Sequence, residues 1–211
     1  NATTLVDKEV VDVVYGSSFS CGDCGAANSG ADWIYAAVKS SGGGSPGLPA
    51  EVIYTVNGGA TWNQVNISGM GATEDPLAVE IAGIYLVVIG TDAYYYAEIN
   101  ANTGVPGTFT KISIGFVASK SPTDVYVANA AEVFFSGNGG YVYKSTDITS
   151  GVAVISAGDA TTSNLARIHG SEDTLVAVGT GGAIIYSVNR GRTWTSPTAA
   201  ATVSAITGIA V

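Results

Sequence analysis

Two cysteines are the residues whose type and spacing first suggest chemistry. Cys21 and Cys24 form a Cys-Gly-Asp-Cys pattern, which occurs in redox centres and supplies half of a tetrahedral zinc site. The segment around them is rich in Gly, Ser and Ala and lacks the βαβ pattern of a thioredoxin-like centre, and the lone His169 is distant in sequence. We expect a disulfide that staples a loop, with free thiols or an intermolecular metal site as alternatives.

Paired carboxylates are the second candidate, because glycosidases place two of them about 5–10 Å apart. Eight acidic residues are candidates at the mouths of the predicted blades, and several of them flank first strands: Glu74, Asp75, Glu80, Glu98, Asp124, Asp159, Glu172 and Asp173. We expect Asp124, Glu172 and Asp173 to be turn residues. Glu80 differs because it interrupts an apolar run, where it shares a strand face with Ala78 and Ala82. It could face a channel or another chain.

The remaining candidates for catalysis or cofactor binding are weak. His169 has no recognisable Ser or Cys elbow, so we expect it to satisfy a local hydrogen bond. The glycine run 42–44 has no following Lys and does not open a helix, which excludes a phosphate-binding loop. We therefore predict no catalytic residue, no bound cofactor and no metal ligand in this chain.

Charge and composition restrict the partners. The chain has 8 Lys plus Arg against 17 Asp plus Glu, a net charge of −9, and only 12% charged residues. Such a surface disfavours nucleic acid, because no basic patch could neutralise phosphates, and disfavours docking on an anionic membrane. No apolar run reaches the roughly 20 residues of a spanning helix.

An internal repeat organises the chain. Residues 55–62 and 187–194 share the pattern [Ser/Thr]-x-Asn-x-Gly-x-Thr-Trp, each preceded by Ile-Tyr, and their tryptophans lie 132 residues apart, or three units of 44. Two degenerate copies should lie between them. Tyrosines at intervals of 42, 47 and 43 residues mark the four units: Tyr54, Tyr96, Tyr143 and Tyr186.

Alternating apolar residues predict four short strands in each unit, separated by glycine turns. A four-stranded unit of about 44 residues is typical of a β-propeller blade, whereas a sandwich is not expected to repeat. We predict an all-β propeller with four visible blades at about 5–70, 71–116, 117–160 and 161–200, and the first strand of a fifth at 201–211. The chain is then either a four-bladed propeller or a fragment of a larger one.

The Trp-ending hairpins resemble Asp boxes, also called BNR repeats, of sialidases, sortilin-type receptors, photosystem assembly factors and phage and secreted propellers. The resemblance rests on ten residues: Thr55, Asn57, Gly59, Thr61, Trp62, Ser187, Asn189, Gly191, Thr193 and Trp194. It implies that each box caps the hairpin between the two outer strands of a blade, with Trp packed underneath. Asn57 and Asn189 stand where the family has Asp, but Asn can accept the same backbone hydrogen bonds.

The resemblance to sialidases does not extend to their active site. Those enzymes clamp the substrate carboxylate with three arginines, and this chain has three in total, Arg167, Arg190 and Arg192. Two of them lie inside the second box, so they cannot converge on a channel. Sialidase activity is therefore disfavoured.

Two regions are candidates for an interaction surface. Tyr94, Tyr95 and Tyr96 place aromatic rings on both faces of a predicted strand, and Glu80 lies on the first strand of the same unit. Packing between blades is an alternative role for the tyrosines. Insertion loops at 17–32 and 40–49 elaborate the first unit, and long loops on a rigid scaffold often carry function.

These observations favour a non-enzymatic structural or interaction propeller in a virion, such as a phage capsid or tail, or in another extracellular assembly. Its expected partners are proteins, in a homo-oligomer or a multi-subunit assembly, with glycan binding possible. The first alternative is a secreted carbohydrate- or protein-binding module. The second is a glycosidase-like propeller whose catalytic residues lie partly outside this segment.

Overall fold

A computed structural model describes residues 9–17, 32–39, 50–71, 74–129, 131–171, 173–197 and 204–209. Cys21, Cys24, Glu172 and the interiors of both predicted insertion loops lie outside these ranges. The proposed disulfide therefore stays a prediction.

The described residues form fifteen strands and two three-residue 3-10 turns. In chain order the strands are β1 (Val10–Ser17), β2 (Asp32–Val38), β3 (Glu51–Thr55), β4 (Asn63–Asn66), β5 (Ala78–Ala82), β6 (Tyr85–Ile89), β7 (Tyr94–Glu98), β8 (Thr110–Ile112), β9 (Pro122–Asn129), β10 (Glu132–Gly137), β11 (Tyr141–Ser145), β12 (Ala153–Ala157), β13 (Leu165–Ser171), β14 (Thr174–Gly179) and β15 (Ile184–Ser187). The 3-10 turns, Asn138–Gly140 and Thr180–Gly182, connect β10 to β11 and β14 to β15.

The strands form four antiparallel sheets, each from consecutive strands: β1–β4, β5–β8, β9–β12 and β13–β15. Short connections make antiparallel neighbours of sequential strands, because a hairpin needs only a few residues. The sheet order within each repeat is therefore the one that the sequence predicts for a blade, and the fold is all-β.

The chain divides into two compact units, the first containing residues 1–90 and 94–111 and the second residues 91–93 and 112–211. In the first unit, sheets β1–β4 and β5–β8 bury Trp33 and Tyr35 together with apolar residues of the second and third strands. The Tyr35 hydroxyl donates to the Gly104 carbonyl at 2.7 Å. This bond ties the first sheet to the loop that follows β7.

The second unit packs sheet β9–β12 against sheet β13–β15. Its core contains Phe134 and Val142 from one sheet and Leu165, Ile168 and Ile185 from the other, each at most 2% exposed. Strand β10 is buried at five of its six residues, so both of its faces are covered within this core.

Glycines occupy the turn positions that the sequence assigned to them. Gly58 and Gly59 have φ of 65° and 90°, in the left-handed region that favours glycine. Gly140 has φ of 77°, and a Cβ there would collide with the backbone carbonyl of Thr161. Turn geometry and close approach therefore both require glycine at position 140.

Two predicted strands are not found in the described residues. The fourth sheet has three strands, and the segment predicted as its fourth strand contributes only an isolated bridge between Tyr186 and Thr195. Residues 204–209 contain no strand, although they were predicted to open a fifth blade. The Ile206 amide donates one hydrogen bond to the Gly179 carbonyl at 3.0 Å. This single bond stands where a paired strand would have a series of backbone hydrogen bonds.

Candidate functional site

The predicted box residues form two matching corners. In the first, Thr55 Oγ1 donates to Asn57 Oδ1 at 2.9 Å and accepts from the amides of Asn57 and Gly59, at 3.3 and 3.0 Å. Asn57 Oδ1 also accepts from the Thr61 amide at 2.9 Å, while Asn57 Nδ2 donates to Thr61 Oγ1 at 2.9 Å. Five hydrogen bonds thus lock one turn.

The second corner repeats all five bonds. Ser187 Oγ donates to Asn189 Oδ1 at 2.9 Å and accepts from the amides of Asn189 and Gly191, at 3.3 and 2.9 Å. Asn189 Oδ1 accepts from the Thr193 amide at 2.9 Å, and Asn189 Nδ2 donates to Thr193 Oγ1 at 2.8 Å. The side chains of the motif are therefore used within the turn.

Each tryptophan packs against the apolar face of a sheet. Trp62 contacts the cluster of Ala36, Val38 and Ile53 in the first unit. Trp194 packs against the core of the second unit, and no residue in the described part of the chain bonds to its buried Nε1. Both rings are partly buried against apolar side chains, which agrees with a structural role.

The two degenerate corners, which the tyrosine spacing located only roughly, start with Asn100 and Asp147. In all four units an Asn or Asp stands two residues beyond the end of the third strand, as with Asn57 after β3 and Asn189 after β15. Asn100 Oδ1 accepts from the amides of Asn102 and Thr103, at 3.0 and 3.1 Å. The spacing of this Asn or Asp from the strand end is constant, whereas the position of the repeated tyrosine relative to the strand end varies by one residue.

Asp147 uses both of its carboxylate oxygens. Oδ1 accepts from the amide and hydroxyl of Thr149, at 2.9 and 2.7 Å, and Oδ2 accepts from Ser150 Oγ at 2.6 Å. Hydrogen bonds from Ser150 and then Thr149 lower the pKa of the Asp147 carboxyl below its ordinary value. An ionised acceptor therefore holds this turn.

Two aspartates on first strands form a feature that the sequence analysis missed. Asp12 Oδ2 accepts from the Val79 amide at 3.0 Å, and Asp124 Oδ2 accepts from the Ile168 amide at 2.9 Å. Each carboxylate thereby links the first strand of one sheet to the first strand of the next. Asp124 was predicted as a turn residue, but it lies within β9 and is only 8% exposed. Both aspartates follow a β-bulge, which is a feature of the backbone that the sequence pattern does not reveal.

Glu74 and Asp173, two of the other acidic candidates, bond to different partners. The Glu74 carboxylate accepts from the Tyr95 hydroxyl at 3.0 Å, and Asp173 pairs with Arg190 Nε at 2.7 Å. Arg190 also pairs with Glu132, with 3.6 Å between Arg190 Nη1 and Glu132 Oε2. Glu132 Oε1 in turn lies 2.6 Å from Lys144 Nζ. These carboxylates hold local structure.

His169 does not behave as expected. Its buried Nδ1 has no hydrogen-bond partner among the described residues, and its ring lies 5.0 Å from that of Tyr126 on the neighbouring sheet. The imidazole therefore packs as a ring and does not satisfy the local bond that we predicted.

The predicted surface of Tyr94, Tyr95, Tyr96 and Glu80 is only partly accessible. Tyr94 and Tyr95 are 0% exposed, so they belong to the interior, because β7 is covered on both faces at its first two residues. Tyr96 and Glu80 are half-buried and lie on one face of their sheet, with Val87 between them in the register. The accessible part of this surface thus starts at Tyr96.

Within the described ranges, no group of three or more His, Cys, Asp or Glu side chains could hold a metal ion. The same ranges contain no helix with the length and apolarity needed to cross a membrane.

Comparison with solved structures defines the fold class. The WD40 repeats of RRP9 match with a TM-score of 0.58 at 10% identity, over 93% of this chain and 55% of theirs. The computationally designed Ika8 protein matches with a TM-score of 0.51 at 9% identity, over 90% of this chain and 48% of its own. YCF48 bound to D1 peptide matches at 10% identity over 91% and 83%, with a TM-score of 0.49.

WD40 repeats are blades of β-propellers. This chain therefore has the β-propeller fold, with four antiparallel sheets as its blades. It spans about half the length of the RRP9 and Ika8 chains that it resembles. No protein-family model matches the sequence, and no curated protein is similar to it.

Proposed function

We propose that this chain is a non-enzymatic interaction propeller that serves as a component of a larger extracellular or virion assembly. The observation that carries this proposal is the use of the repeated polar residues. Asn57, Asn189 and Asp147 direct their side chains into their own turns, and Asp12 and Asp124 brace neighbouring strands. The most regular polar features of the chain are thereby occupied in holding sheets.

The two Trp corners support a relationship to Asp boxes. Asn57 and Asn189 each accept a backbone amide four residues ahead, and this is the role that the resemblance assigns to the Asp of the box. Asn keeps that acceptor and adds an Nδ2 donor, which bonds to a threonine hydroxyl in both corners. In this proposal the box is a folding element, and binding takes place elsewhere.

The composition supports an assembly component better than an enzyme. Few charged residues and many short strands are typical of a rigid scaffold. Three of the acidic side chains considered for hydrolysis, Asp124, Glu74 and Asp173, bond to a backbone amide, a phenol and an arginine. A glycosidase would instead need two carboxylates aimed at one substrate.

Fractionation of the native source tests this proposal. Virions or secreted assemblies are separated on a density gradient, and the chain is quantified in each fraction by mass spectrometry. We expect it in the particle fraction at a fixed ratio to other structural proteins. Recovery only as a free monomer would contradict the assembly role.

Enzyme assays test the other half of the proposal. The purified chain is incubated with polysaccharides and aryl glycosides, and we expect no turnover. Hydrolysis that is lost when Glu80→Gln and Glu98→Gln are combined would overturn the assignment and establish the glycosidase alternative.

A further inference from the structure

One face of the second sheet brings two tyrosines and two carboxylates together. Across β5, β6 and β7 the register places Glu80, Val87 and Tyr96 in one row and Ala82, Tyr85 and Glu98 in the next. Residues directly opposite in an antiparallel sheet share a face. Glu80, Tyr85, Tyr96 and Glu98 therefore share one face of the sheet, although Val87, between Glu80 and Tyr96, is 0% exposed. We call the end of this face formed by Tyr85, Tyr96 and Glu98 the Tyr85–Tyr96 surface.

This face is buried at one end and accessible at the other. Tyr94 and Ile89, in the row before Tyr96, are 0% exposed. Tyr85 and Tyr96 are half-buried, and Glu98 is exposed. The adjoining turn adds Ile84, which is 42% exposed. A partner could thus contact two aromatic rings, a carboxylate and an apolar side chain at the same end of the sheet.

The two rings are held at a right angle. The centroids of Tyr85 and Tyr96 lie 5.4 Å apart, with an interplanar angle of 84°. In this edge-to-face contact each ring fixes the orientation of the other. Neither phenol hydroxyl forms a hydrogen bond within the described residues, unlike that of Tyr95 on the opposite face, which donates to Glu74 at 3.0 Å.

The charge of the surface selects a cationic partner. Glu98 lies opposite Tyr85 in the register, and no lysine or arginine of the described ranges pairs with Glu98 or stacks on these two rings. The chain as a whole carries a net charge of −9. A ring face next to a carboxylate attracts an ammonium or guanidinium group through both the ring quadrupole and the ionic charge.

We propose that the Tyr85–Tyr96 surface binds a lysine or arginine side chain from a basic segment of a partner protein. The cation lies against a tyrosine ring and pairs with Glu98, while the apolar part of its side chain packs near Ile84. This inference rests on the proposed function, because it names the chemistry of the protein partner that an interaction propeller would recognise.

The ring geometry favours a cation over a sugar. A sugar ring stacks on a broad, freely exposed aromatic face, whereas here the edge of one ring occupies the face of its neighbour. Both tyrosines are also half-buried, so the accessible aromatic area is small. A compact cationic head group needs less area than a pyranose does.

Peptide binding to the full chain tests the proposal. The probe is a fluorescent, unstructured Gly/Ser peptide with regularly spaced lysines, and a second peptide carries glutamate at the same positions. Fluorescence anisotropy should show binding of the lysine peptide and none of the glutamate peptide. Glu98→Gln, which preserves side-chain size, should weaken lysine-peptide binding about 3–10-fold.

A ring series separates the aromatic contribution from charge. Tyr96→Phe keeps the ring and should bind like the parent chain, whereas Tyr96→Leu should lose about 3–10-fold in affinity. Circular dichroism and urea unfolding verify that each variant is folded. The matched controls are Asp159→Asn, at an exposed carboxylate, and Tyr186→Leu, at a tyrosine that is 36% exposed; both should leave affinity unchanged.

Several outcomes would overturn the proposal. Equal weakening by Asp159→Asn and Glu98→Gln would mean that only the net charge attracts the peptide. Equal binding of both peptides, absence of binding, or binding of a glycan panel that requires Tyr96 would also refute it. If the peptide does not bind but the chain is still found in particles, this inference fails and the proposed function stands. If the chain binds the peptide but occurs only as a free monomer, the proposed function fails and this inference stands.

Discussion

At the residue scale, the corners show how a short motif specifies a turn. Asn57 and Asn189 form equivalent hydrogen bonds, and the lengths of matching bonds agree within 0.1 Å. The first residue of the motif is Thr55 in one corner and Ser187 in the other. The hydroxyl that both residues carry is therefore what the motif requires at its first position. An amide side chain satisfies three polar groups that would otherwise depend on solvent.

Replacing the corner asparagine should therefore destabilise the fold. Asn189→Ala leaves the Thr193 amide and the Ser187 hydroxyl without their partner, and we expect a loss of about 1–3 kcal/mol in the free energy of unfolding. Asn189→Asp keeps the Oδ1 acceptor and should lose less. Urea unfolding measures both, with Asn57→Ala as the matched variant; an Asn189→Ala protein as stable as the parent would contradict the assigned role.

Backbone strain distinguishes the two corners. Arg190 has φ of 58°, whereas the equivalent position of the first corner is Gly58, with φ of 65°. A non-glycine residue in this region costs about 1 kcal/mol. Arg190→Gly and Arg190→Ala both remove the contacts with Glu132 and Asp173, but only the glycine variant relieves the strain. Thermal unfolding should find Arg190→Gly about 1 kcal/mol more stable than Arg190→Ala, and equal stabilities would disprove the strain.

At the scale of elements, carboxylates connect neighbouring sheets within each unit. Asp12 links β1 to β5, and Asp124 links β9 to β13. A β-bulge also precedes Arg167 on β13, so this position carries a different side chain in the fourth sheet. The two braces thus start from the first strands of the first and third sheets.

Of the two bracing aspartates, the buried Asp124 should contribute more to the free energy of unfolding. Asp124→Ala removes the acceptor of the Ile168 amide in a site that is 8% exposed, and we expect a loss of about 2 kcal/mol. Asp12 is half-buried, so Asp12→Ala should cost less. Hydrogen exchange should also accelerate at the Ile168 amide of the Asp124→Ala protein. Unchanged protection of that amide would rule out the brace.

An ion pair between β10 and β11 gives a pH dependence. The hydrogen bond from Lys144, then the bond from Asn129 and the charge of Arg190, hold the pKa of Glu132 below its ordinary value. The carboxylate therefore stabilises the folded state above the unfolded-state pKa of about 4.3, and this contribution is lost as the pH falls through the lower folded-state pKa. The stability difference between the parent and Glu132→Gln should shrink from pH 7 to pH 3. Urea unfolding at several pH values measures it, and a difference that grows on acidification would show that the sign is wrong.

At the scale of the whole molecule, the sequence predicts the strands well because their cause is local. Tyr94–Glu98, Tyr141–Ser145 and Ile184–Ser187 begin and end where alternation and glycine turns place them. Four repeats and an all-β fold follow from that spacing. The missing strands near Thr195 and after Ser204 differ because a strand also needs a neighbouring edge, which a local pattern does not reveal.

The candidate surface was predicted less well because burial depends on neighbours. Alternation identifies the two faces of β7, but it cannot show that Tyr94 and Tyr95 are covered on opposite sides. Nor could it pair Tyr85 with Tyr96, since that contact depends on strand register. The braces of Asp12 and Asp124 were missed for the same reason, because their partners lie 67 and 44 residues away.

The central claim is that the molecule separates stability from binding. Corner residues such as Asn189 stabilise the sheets, and the Tyr85–Tyr96 surface binds the partner. The most direct test is the affinity of the lysine peptide for Asn189→Ala and Glu98→Gln, measured together under conditions where both are folded. We predict parental affinity for Asn189→Ala despite its lower stability, and affinity about 3–10-fold weaker for Glu98→Gln. Lost affinity in folded Asn189→Ala, with parental affinity in Glu98→Gln, would contradict the account.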